Sequence, residues 1–162
     1  MRIARIDQAL ETCEEHLERT SAFGTEIESL LTRSLLVLIC AEFEQKIESL
    51  VHLRCSVISD TAIKEFVGSC VSAVFRSVKS SEISGLLNRF GAGYKERFKS
   101  KLDTDPVAVT FYNNIVINRH GVAHAEGTNI TFSEAKQFYE KGHCVLDWLD
   151  YALSNGEAHE GA

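Results

Sequence analysis

Proline is nearly missing from this chain: Pro106 is the only one in 162 residues, and glycine occurs ten times. With so few residues that interrupt regular backbone, long irregular loops and a many-turned sheet are disfavoured and continuous helices favoured. Paired cysteines are missing as well. Cys13, Cys40, Cys55, Cys70 and Cys144 are odd in number, irregular in spacing and contain no C-x-x-C pair, a pattern that points to reduced thiols in a cytosolic protein. A broad basic surface is absent, because the formal charge is −6, and this argues against generic coating of nucleic acid. A long apolar run is also lacking. The longest, 35–41, falls far short of the roughly 20 residues of a membrane span. At the start, Arg2, Arg5 and Asp7 interrupt the apolar residues and no signal-peptide core follows, so a cytoplasmic protein without membrane association is expected.

What is present is ordinary for one globular domain: 44% hydrophobic and 25% charged residues, in a length that supports a single core. Ile6, Leu10, Cys13 and Leu17 recur at helical spacing and predict a surface helix over 3–20. After a break at 21–24, Thr25 and Glu28 fit a capping box opening a long helix to about Val57, its middle the most buried part of the protein. Ser59-Asp60 is the next cap candidate, before a helix carrying Ile63, Phe66, Val67 and Cys70. Shorter helices are predicted over 81–90 and 94–102, split by Gly91-Ala92-Gly93. Asp105-Pro106 is a strong helix start, for a segment ending near Gly127. Thr131 with Glu134 opens a last helix over 131–153, and the tail 154–162 is expected to fray. No repeat or linker divides the chain. The pattern predicts an all-α bundle, read as one domain over 1–162 with an N-terminal helix in 1–22, core helices in 23–153 and a flexible tail in 154–162.

The stretch 113–127 concentrates chemistry. Asn114, Asn118, Arg119, His120 and His124 crowd the end of an otherwise apolar helix, where polar groups must be hydrogen-bonded, exposed or used. A plain reading is that Arg119 and the two histidines complement the helix dipole and cap its carbonyls. A zinc reading would take His120 and His124 from one helix face with His143 or Cys144 as distant ligands. It lacks the glutamate of H-E-x-x-H, since Gly121 stands there. No serine–histidine–aspartate set or phosphate-cradling glycine loop stands out, so no metal or cofactor is expected.

Arg119 followed by the polar His120 and, five residues on, by His124 resembles the R-polar-x-x-x-H signature of HEPN domains. The run Ile117-Asn118-Arg119-His120-Gly121-Val122-Ala123-His124 is similar to the RiboL-PSP-HEPN type and its bacterial relatives. The likeness extends more loosely to the apolar helix bearing Ala41-Glu42-Phe43-Glu44 and to a final helix after the histidine, over about 26–153. It implies a HEPN-like bundle of about five to six helices with antiparallel core helices, and a homodimer that cleaves RNA without metal, often as a toxin or antiviral defence effector. Arg119 and His124 would be the catalytic pair, with His120 as the supporting polar residue and Asn118, Asn114 and Glu42 beside them. Glu42 would pair with Arg119 and orient it. An antitoxin or partner protein encoded nearby would fit the same setting. Some domains of this kind only dimerise and bind a partner protein or nucleotide, which is the alternative.

The residue types suit that chemistry. Metal-free cleavage uses the RNA 2′-hydroxyl as nucleophile and needs a group titrating near neutrality, which histidine is. It also needs a fixed cation for charge gathering on the phosphate, and arginine offers a two-pronged one. On an ideal helix Arg119 and His124 lie about 140° apart, whereas His120 and His124 share a face, so His120 has scope for a larger role. Arg89, Lys95, Arg97, Lys99 and Lys101, interleaved with Phe90, Tyr94 and Phe98, form the best local RNA-binding candidate in an acidic chain. A solvated basic helix face explains the same pattern.

Overall fold

In a computed structural model, the structure describes residues 1–74, 78–123 and 130–154, with the side chains of 70–74 and 120–123 excluded. Among the described residues the regular structure is entirely α-helical. The helices are α1 (Ala4–Thr20), α2 (Glu26–Cys55), α3 (Thr61–Val74), α4 (Ser80–Phe90), α5 (Ala92–Leu102), α6 (Pro106–Ala123), α7 (Phe132–Gly142) and α8 (Cys144–Ser154). The all-α reading holds. The final segment, read as one helix over 131–153, is divided at His143, and the predicted end of α6 near Gly127 lies outside the described residues.

Two compact units are formed, one by Met1–Glu42 with Val107–Cys144 and the other by Phe43–Pro106 with the segment from Val145. In the first, α1 buries Ile6, Leu10 and Leu17, α2 buries Leu35, Leu36, Ile39 and Cys40, and α6 buries Tyr112, Ile115 and Val116. In the second, Phe43, Ile47 and Val51 of α2 are buried, as are Ile83 and Leu87 of α4, Phe98 of α5 and Leu146 and Leu149 of α8. Each such side chain contributes roughly 1.5–3 kcal/mol when withdrawn from water. The middle of α2 is therefore deeply buried, as its sequence suggests. Cys13, Cys40, Cys55 and Cys144 carry free thiols.

The helix ends follow local chemistry in several places. The Asp60 carboxylate accepts the Ile63 N–H at 3.1 Å and opens α3. Thr131 and Glu134 form a complete capping box on α7, and these hydrogen bonds hold the Glu134 carboxyl below its ordinary pKa. α4 and α5 part at Gly91, whose φ of 139° suits a residue without a side chain.

The expected Thr25–Glu28 box does not form. Glu28, buried, instead accepts the Gly24 N–H at 2.6 Å and the Phe132 N–H at 2.8 Å. One carboxylate thus ties the turn before α2 to the first residue of α7, where negative charge also complements the helix dipole. Thr25 turns its hydroxyl back to the Ala22 carbonyl at 2.6 Å. At the other end of α7, Gly142 lies against α6 so closely that a Cβ there would stand 2.7 Å from the Tyr112 backbone nitrogen.

Two substitutions report on these contacts. Glu28→Ala leaves two N–H donors without their acceptor and is expected to cost about 2–4 kcal/mol in urea unfolding. Gly142→Ala forces α6 and α7 apart and is expected to lower stability by about 1–3 kcal/mol.

Candidate functional site

The polar positions of interest sit on α6, in the unit that also holds α1 and α7. Pro106 starts the helix, as its missing N–H and fixed φ favour. The helix buries Tyr112, Ile115 and Val116 and exposes Ile117. Asn114, Asn118 and Arg119 are half-buried. Arg119 follows Ile115 by four residues and Val116 by three, which sets it at the edge of the packed face. The Asn118 amide donates to the Asn114 carbonyl at 2.8 Å, so that side chain is folded back along its own helix.

Glu42 of α2 accepts Arg5 Nη1 of α1 at 2.7 Å, with Glu42 largely buried and Arg5 exposed. Arg5 lies 37 residues away from Glu42 and no sequence pattern joins the two. His120 belongs to α6 through its backbone, and its side chain lies outside the described set. His124 falls in 124–129, also outside the described residues. Arg119, Asn114 and Asn118 are therefore placed on one helix, while no geometry of the Arg119–His124 pair is described. Among the described residues no three His, Cys, Asp or Glu side chains gather where one metal ion could be held.

The basic row divides by what each cation touches. Arg97 donates Nε and Nη2 to the Ala152 carbonyl, both at 3.2 Å, and its guanidinium stands 4.6 Å from the Tyr94 ring centroid. It thereby caps the last turn of α8. Arg54, which the sequence reading passed over, donates to the Tyr94 hydroxyl at 2.7 Å. Lys101 lies 4.6 Å from the centre of the Tyr151 ring. Arg89, exposed, reaches an apolar cavity in the same unit. Lys95 and Lys99 share one face of α5 by their spacing of four. Tyr94, one of the three aromatics interleaved in the row, is engaged by two guanidinium groups.

The RiboL-PSP-HEPN family matches residues 1–155. No curated protein and no solved structure matches the chain.

Replacing Arg97 by alanine removes two hydrogen bonds and a ring contact at once. Thermal or urea unfolding is expected to show a loss of about 1–3 kcal/mol, whereas Lys99→Ala is expected to stay within about 0.5 kcal/mol of the wild type.

Proposed function

The chain belongs to the RiboL-PSP-HEPN family, and from that premise we propose that it is a metal-independent endoribonuclease acting as a homodimer. The observation that supports this most is the coincidence of the family match with the Arg119-His120-x-x-x-His124 motif on and just after α6. The whole chain works as a single domain in this reading.

His124 removes the proton from the 2′-hydroxyl of the RNA, and the oxygen attacks the adjacent phosphorus. The bond to the 5′-oxygen breaks, that oxygen takes up a proton, and the products are a cyclic 2′,3′-phosphate and a free 5′-hydroxyl. Arg119 supplies fixed positive charge to the phosphate oxygens as the displacement proceeds. One imidazole serves poorly as base and acid in the same displacement, so the second copy contributes the other His124 across a two-fold axis. His120 assists as a phosphate contact or second proton carrier, and Asn114, Asn118 and Glu42 support the helix that carries the pair.

Within α5, Lys95 and Lys99 are the basic residues best suited to RNA phosphates, since Arg97 and Lys101 already engage Ala152, Tyr94 and Tyr151. In the cell such an enzyme fits a toxin or antiviral defence effector, held in check by an antitoxin or partner protein. Among the described residues no helix is long and apolar enough to cross a membrane.

Arg119→Ala and His124→Ala are each expected to lower RNA cleavage by about 10²–10⁴-fold while melting temperature and dimer mass stay at wild-type values, and EDTA is expected to have no effect. Full activity in the His124 variant, or loss of activity in EDTA, would overturn the proposal. RNA that is bound and released intact by the wild type would make the chain a binding module.

A further inference from the structure

The second unit contains a cavity of about 400 Å³ that the nuclease chemistry does not use. Its walls come from the end of α2, the loop to α3, α3 itself and α4, through Cys55, Ile58, Phe66, Leu86 and Phe90, with Arg89 also lining it. The volume lies at the small end of the range for ligand sites, and an apolar wall with one polar group is their usual composition. Burial pushes the Cys55 thiol up in pKa, so that part of the wall stays neutral.

Arg89 is the only charged residue among the described lining residues. It has no carboxylate partner among the described residues. Phe66 is 68% exposed, which leaves most of an apolar ring in water. Both features are relieved by the same kind of occupant: a hydrocarbon body against Phe66, Ile58 and Leu86, ending in an anion at Arg89.

We propose that this cavity binds a small amphipathic carboxylate, of the medium-chain fatty acid class. A guanidinium pairs with a planar carboxylate through two parallel hydrogen bonds. An RNA phosphodiester satisfies Arg89 equally well but fits the cavity poorly, because its sugar hydroxyls would face a wall that offers few hydrogen-bonding partners. The ligand ties α3 to α4 and stabilises the fold in proportion to its saturation.

The full chain titrated with decanoate below its micelle concentration, followed calorimetrically and by melting temperature, tests this directly. Saturable binding of one decanoate per chain is expected, at least about tenfold tighter than decanol, as a charged hydrogen bond provides. Arg89→Gln is expected to bring decanoate down to the affinity of decanol and to leave decanol unchanged. Phe66→Ser, at an exposed position that leaves the fold intact, is expected to weaken both. His124→Ala is expected to bind decanoate like the wild type, which separates this site from the nuclease reading. The proposal is overturned if decanoate and decanol bind equally, if Arg89→Gln changes nothing, if a short oligoribonucleotide displaces decanoate, or if no saturable binding occurs.

Discussion

The buried carboxylate of Glu28 holds together parts of the first unit that are far apart in sequence. It accepts N–H groups from Gly24 and from Phe132, 104 residues further along the chain. A carboxylate withdrawn from water is tolerated only when its oxygens are used, and here each oxygen takes one N–H. α7 is fixed at this end by Glu28 and at the other by the close approach of Gly142 to Tyr112. α6 lies against that second contact. The packing of α6, the helix that carries Arg119, against α7 thus involves groups outside the candidate site.

Local features of this fold were legible in the sequence, and distant pairings were not. Asp60 and the Thr131–Glu134 box act on neighbours three residues away and Pro106 on its own backbone, so residue order alone reveals them. The buried middle of α2 follows from its apolar composition in the same way. Thr25 and Glu28 have the right spacing for a box, yet Glu28 gains a second donor by reaching Phe132 instead. Arg5 with Glu42, and Arg97 with the Ala152 carbonyl, obey no periodicity that a linear pattern records. The division at His143 falls next to a glycine pressed against another helix, a contact that residue order does not record.

The candidate site was legible in a different sense. Arg119, His120 and His124 were recognisable from their order, and the family match over 1–155 agrees with the likeness drawn from them. The row from Arg89 to Lys101 looked uniform in sequence and is not uniform in space. Cations of that row meet a carbonyl, aromatic rings, a cavity wall or solvent. A net charge of −6 argues against coating a long nucleic acid through a broad basic surface.

The proposed chemistry stands or falls on the nucleophile being part of the substrate. The most direct measurement uses an RNA oligonucleotide that the purified protein cuts, resynthesised with a single 2′-deoxy sugar on the 5′ side of the cut. The account expects cleavage at that linkage to cease while binding of the oligonucleotide is retained. Continued cutting there, with a linear phosphate on either fragment, would contradict it.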